Sequence, residues 1–147
     1  MPIKPGSLAK EHLNRAYFVK QKIHDKQSEI EELEGLLGNK AVQLKKDKVL
    51  SSNIGGAEPN IIAKMVDLKN EVEELYKQYD LLIKENKEII ESIIDPIYRS
   101  IIYRRFCGYK RFWDIAQELG YSERQVYRKY NEALEWIEKN ILCDIES

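Results

Sequence analysis

Residues 112–134, Phe112-Trp113-Asp114-Ile115-Ala116-Gln117-Glu118-Leu119-Gly120-Tyr121-Ser122-Glu123-Arg124-Gln125-Val126-Tyr127-Arg128-Lys129-Tyr130-Asn131-Glu132-Ala133-Leu134, are the stretch whose reading decides the fold. Phe112, Ile115, Ala116 and Leu119 recur at the i, i+3, i+4, i+7 spacing of an amphipathic helix. Gly120 comes next, the residue best suited to the left-handed backbone that ends a helix. Ser122 then opens a second helix as its N-cap, with Gln125 placed to complete a capping box. A helix that restarts so soon turns a sharp corner; Ala116 is small where the two helices cross, and Tyr121 and Val126 are the apolar groups that pin them. Beyond the corner Val126, Tyr130, Ala133, Leu134 and Ile137 form a buried stripe. Glu123, Arg124, Gln125, Tyr127 and Arg128 are left outward in the first two turns.

The pattern predicts a helix-turn-helix whose second helix lies in a DNA major groove, since the outward residues hydrogen-bond bases and phosphates. Short amphipathic helices joined by Gly-x-Ser also occur in proteins that never touch DNA, so the motif alone leaves both readings open. Charge shifts the balance. From Arg99 to Tyr130 the basic residues are Arg99, Arg104, Arg105, Lys110, Arg111, Arg124, Arg128 and Lys129, eight against the three acids Asp114, Glu118 and Glu123. This local surplus of +5 sits in a chain whose formal total is −1, as expected of a phosphate-facing surface.

At 147 residues, with 43% hydrophobic and 33% charged content, the chain suits one small domain plus extended helices rather than two large cores. With 7 Gly and 4 Pro and no alternating apolar–polar stretch, the expectation is an all-α protein. The opening Met1-Pro2-Ile3-Lys4-Pro5-Gly6 lacks an apolar leader and no segment reaches the length of a membrane span, which points to a cytoplasmic protein without a membrane partner. Cys107 and Cys143 read as reduced cysteines, and His12 and His24 lack metal-ligand spacing, so neither metal nor cofactor is expected.

Ser7 is a plausible N-cap for a helix from about Leu8 to Leu37, with Gly38 as its stop. Its seam runs Ala9, His12, Ala16, Val19, Ile23, Lys26, Ile30, Leu33, Leu37, a coiled-coil pattern interrupted by the polar His12 and Lys26. A loop is expected over about 38–59, from the composition of Ser51 to Ala57. A second helix, capped by Asn60 and about 50 Å long at ~1.5 Å per residue, carries the seam Ile61, Met65, Leu68, Val72, Leu75, Tyr79, Leu82, Asn86, Ile89, Ile93. Leu68, Val72, Leu75, Tyr79, Leu82 and Asn86 are its coiled-coil and oligomerisation candidates. Folded back as an antiparallel hairpin it sets Ile30 beside Leu68, Ile23 beside Leu75 and His12 beside Asn86; self-association between chains is the rival, and two hairpins also fit a four-helix bundle.

Asp95-Pro96 divides this region, 1–94, from a C-terminal domain, 95–147. Asp95 is a cap and Pro96 fits the first helical position. A helix from Pro96 to about Phe106 turns Ile97, Ile101, Ile102 and Phe106 inward, with Arg99, Arg104 and Arg105 available outside. With the two motif helices it makes a three-helix unit, closed by Trp136, Ile137 and Ile141.

The C-terminal third resembles the promoter-binding region 4 of the sigma-70 family through Trp113 to Ser122, the capped second helix with Val126, and Ala133-Leu134. Over nearly its full length the chain is similar to the ArpU- and RinA-like late-transcription regulators of phages and prophages of Gram-positive bacteria. The segments that carry this are Ala9 to Tyr17, a glycine-containing loop, the long charged helix, Asp95 to Arg99, and Gly120-Tyr121-Ser122 ahead of Val126-Tyr127-Arg128. The resemblance implies that Arg124, Gln125, Tyr127 and Arg128 read bases and contact phosphates, with Ser122 and Glu123 at the helix start. Lys110-Arg111 replaces the family's polar cap before the first motif helix; with Arg105 it adds phosphate-binding charge. A promoter-melting region is missing, so the resemblance implies an activator or partial sigma-like factor that recruits RNA polymerase.

The leading expectation is therefore a sequence-specific transcriptional regulator of double-stranded DNA, dimeric or higher, whose coiled coil sets the spacing of half-sites. The alternative is a coiled-coil interaction or structural protein, such as a polymerase-binding or phage DNA-packaging partner. An enzyme is the weakest class, because no carboxylate cluster accompanies the 9 tyrosines.

Overall fold

The computed structural model describes residues 4–46 and 59–143. Among them every regular element is helical: α1 (Ser7–Lys46), α2 (Pro59–Glu91), α3 (Pro96–Phe106), α4 (Phe112–Leu119) and α5 (Glu123–Ile137), the last continued by a π-helical turn over Glu138–Leu142. The protein is all-α, and none of these helices is long and apolar enough to cross a membrane.

Two expected boundaries move. α1 does not stop at Gly38 but runs on to Lys46. A glycine ends a helix by taking positive φ, and among the described glycines only Gly6 and Gly120 do so. The residues after Gly38 are mostly Lys, Ala, Gln and Leu, all good helix formers. The C-terminal part of the expected loop, Ser51 to Ala57, lies outside the described residues. α2 begins at Pro59 rather than after Asn60, because proline's missing N–H is no loss in a first turn.

By packing, the chain divides into Val19–Tyr79 and a second unit made of Met1–Phe18 with Asp80–Ser147. In the first, Ile23 and Ile30 of α1 bury against Leu68 and Val72 of α2, flanked by Val19, Leu33, Leu75 and Tyr79. Lys26–Glu71 at 2.6 Å and Glu34–Lys69 at 3.5 Å bridge the same helices, and Gln27 Nε2 donates to the Tyr76 hydroxyl at 3.0 Å. Numbers falling on one helix as they rise on the other make the pair antiparallel. The polar Lys26 is accommodated because its ammonium reaches Glu71 at the edge, a hydrogen bond that raises the Lys26 pKa. Leu68 and Val72 are thus covered by α1 of their own chain.

The second unit takes in the start of α1 and the end of α2, so its core crosses the Asp95 border expected from the sequence. Ala9 and Leu13 of α1, Ile89 and Ile90 of α2 and Ile93 just beyond it join Ile101, Ile102 and Phe106 of α3, Ile115 and Ala116 of α4, and Val126, Tyr130, Ala133, Leu134 and Ile137 of α5. Each fully buried isoleucine contributes roughly 1.5–3 kcal/mol of hydrophobic stabilisation. Asp95 caps α3 as its position suggests, Oδ1 accepting from the amides of Ile97 (2.8 Å) and Tyr98 (3.2 Å).

The expected His12–Asn86 pairing is replaced by two neighbouring contacts. Leu13, not His12, points into the core at 1% exposure, so the buried Asn86 meets backbone there and its Nδ2 donates to the Leu13 carbonyl at 3.0 Å. His12 lies one step outward, and with Arg15 it shares the Glu85 carboxylate at 2.9 and 3.0 Å.

Candidate nucleic-acid interface

Helix α5 begins as its sequence dictates. Gly120 takes φ +75° and ends α4; Ser122 Oγ accepts from the Gln125 amide at 3.1 Å while Gln125 Oε1 accepts from the Ser122 amide at 3.0 Å. α3, α4 and the buried face of α5 meet on one core, so the first two turns of α5 turn their other face outward. Glu123, Arg124, Gln125, Tyr127 and Arg128 are all exposed, as is Ser122 ahead of them. Five of these residues, with Asn131, line one shallow cleft: Ser122, Arg124, Gln125, Tyr127, Arg128.

These side chains differ in what already holds them. Arg124 forms no ion pair or hydrogen bond among the described residues, whereas Arg128 Nε stands 4.0 Å from Glu132. Gln125 has its carbonyl oxygen engaged by the cap, which leaves its amide N–H groups to donate outward. Tyr127 packs its ring edge to face on Phe112, centroids 5.4 Å apart, and remains about half exposed.

The basic residues ahead of α5 are more committed than their sequence suggests. Arg105 stacks on Phe112, its guanidinium carbon 4.3 Å from the ring centre, and donates to the Lys110 carbonyl at 2.9 Å. Lys110 hydrogen-bonds Glu118, and Arg104 approaches the same carboxylate at 3.5 Å. Arg111, the N-cap residue of α4, makes no side-chain cap bond and pairs with Asp114 at 3.0 Å. The Arg111 guanidinium bonded to Asp114 holds that carboxyl below its ordinary pKa. Arg99 is half-buried and donates to the Ile93 carbonyl at 3.1 and 3.0 Å, closing the turn that follows α2. Exposed ion pairs contribute only about 0–1 kcal/mol each, so the pairs with Asp114 and Glu118 open at little cost.

The coiled-coil candidates take a different place. Leu68 and Val72 are buried, Leu75, Tyr79 and Leu82 half-buried, and Asn86 is 1% exposed.

Three features of the second unit are absent from the sequence-based expectations. Asn131 sits one turn beyond Tyr127 in the cleft, and the i, i+3, i+4, i+7 series from Arg124 would have found it. Glu138 closes the start of α1: its carboxylate accepts from the amides of Gly6, Leu8 and Ala9 at 2.8, 2.6 and 3.1 Å. Gly6 carries φ +90°, and a Cβ there would stand 3.0 Å from Leu134 Cβ, so the N-terminal turn lies directly on α5. No local pattern announces either contact, because the partners are more than a hundred residues apart.

Compared with protein-family models, with curated proteins and with solved structures, the chain finds no match in any of the three.

Proposed function

We propose that this protein is a sequence-specific DNA-binding transcriptional regulator, with α4 and α5 acting as a helix-turn-helix and the outward face of α5 entering the major groove. The observation that carries this is the exposed cleft of Ser122, Arg124, Gln125, Tyr127, Arg128 and Asn131, held by an apolar core on its other side. Arg124 and Arg128 match the bidentate acceptors of guanine, and Lys110, Arg111 and Arg105 match flanking phosphates. In this reading residues 95–147 are the DNA-binding part. Residues 1–94 form a coiled-coil hairpin that serves self-association, and the chain acts in the cytoplasm without enzymatic chemistry. The sigma region 4-like and phage late-regulator resemblance adds RNA polymerase as a second partner. Selection of bound fragments from random DNA, with footprinting of the product, tests it: one enriched motif is expected, and retention of all sequences alike would contradict it.

The engagement of Lys110, Arg111 and Arg128 with carboxylates favours a second reading, in which the same face meets protein. Capture of purified RNA polymerase without any DNA mobility shift would decide for it.

A further inference from the structure

A second cleft adjoins the one on α5 and shares Tyr127 and Asn131 with it. Its far wall is the beginning of the chain: Lys4 to Ser7 and Lys10 face Arg105, Phe112 and Leu134 across it. The wall is held there by the Glu138 bonds to Gly6, Leu8 and Ala9 and by the close approach of Gly6 to Leu134. Three of the lining residues are cationic and none is acidic. Lys4 and Lys10 are exposed, and neither forms an ion pair among the described residues. Arg105 is partly spent on Phe112 and the Lys110 carbonyl. The amides at the start of α1 are already satisfied by Glu138, so an anion here is held by lysine side chains and Asn131 and not by the helix end.

We infer that this cleft binds a backbone phosphodiester of the same DNA duplex, beside the groove that α5 enters. Lys4 and Lys10 are then further phosphate-contacting residues. The inference rests on the DNA-binding reading and adds to it a contact from the opposite end of the chain. Such contacts strengthen binding to every sequence alike and steepen its salt dependence by ~0.9 in the slope of log K against log salt per phosphate neutralised.

The test is binding of the full chain to a random-sequence duplex over a range of salt concentrations. Wild type is compared with Lys4→Ala/Lys10→Ala, with Lys4→Arg/Lys10→Arg, and with Lys64→Ala/Lys77→Ala, which removes the same charge from exposed positions of the other unit. The alanine pair in the cleft is expected to flatten the slope by about 0.9, the value for one phosphate no longer neutralised, with the arginine pair and the distant pair close to wild type. A cleft variant that keeps the wild-type slope, or a distant pair that flattens it equally, overturns the inference while leaving the DNA-binding reading intact. Failure of the wild type itself to bind duplex overturns both.

Discussion

Arg124 and Gln125 are neighbours with opposite commitments. Arg124 has no ion-pair or hydrogen-bond partner among the described residues, while Gln125 spends its carbonyl oxygen on the Ser122 amide. A glutamine reading adenine presents both donor and acceptor, so the proposed DNA contact leaves Gln125 its N–H groups alone unless the cap opens. Gln125→Glu separates the two roles: a carboxylate accepts from the Ser122 amide equally well and favours a helix start. The variant is expected to melt at or slightly above wild type yet bind DNA more weakly, as thermal denaturation and anisotropy would show; a lower melting point would mean the cap does not hold as described. Cys107 is a second residue whose setting makes a prediction. Burial pushes its thiol pKa up, with Lys87 opposing weakly. The neutral thiol is favoured in the folded state, so this stabilisation is complete below the ordinary thiol pKa and is lost as pH rises through the folded value. A thiol reagent at about pH 8, near the ordinary thiol pKa, should therefore modify the exposed Cys143 rapidly and Cys107 slowly; equal rates would contradict the burial.

At the scale of elements, the start of α1 depends on the turn after α5. Helix termini leave amides unpaired, and here a carboxylate from the far end of the chain accepts three of them. Glu138→Ala is expected to lower stability by about 1–2 kcal/mol, a cap's usual worth or somewhat more, and denaturant titration reads it directly. Gly6→Ala should destabilise too, because the residue would need φ +90° and its Cβ would crowd Leu134. Unchanged midpoints in both variants would detach α1 from α5. The local elements are legible in the sequence: the Asp95 and Ser122 caps, the Gly120 stop and the inward stripes of α3, α4 and α5 depend on residues within a turn or two of each other. The end of α1 is not, since Gly38 looks like a stop but keeps helical backbone where strong helix formers come next.

Across the whole molecule, what stays hidden in sequence is the pairing of charges and the coverage of seams. Eight basic residues between Arg99 and Tyr130 look alike in a string, yet Arg99 closes the turn after α2, Lys110 and Arg104 meet on Glu118, and Arg124, unlike Arg128 in the same α5 cleft, forms no ion pair among the described residues. The heptad seam likewise predicts an apolar partner without saying whose; Ile23 and Ile30 of the same chain supply it for Leu68 and Val72. Lys4 and Lys10, far from the motif in sequence, come to line a cleft with Tyr127 and Asn131 of α5 only through tertiary contact.

The central claim is that the outward face of α5 recognises duplex DNA. It is tested most directly by measuring, at one fixed salt concentration, the affinity of wild type and of Arg124→Ala/Arg128→Ala for a fragment selected from random DNA. Each guanine-reading arginine is worth about 1–3 kcal/mol of discrimination, so the double variant should lose at least tenfold in specific affinity, with helicity and melting point unchanged. A folded double variant that binds the selected fragment as tightly as wild type would contradict the account.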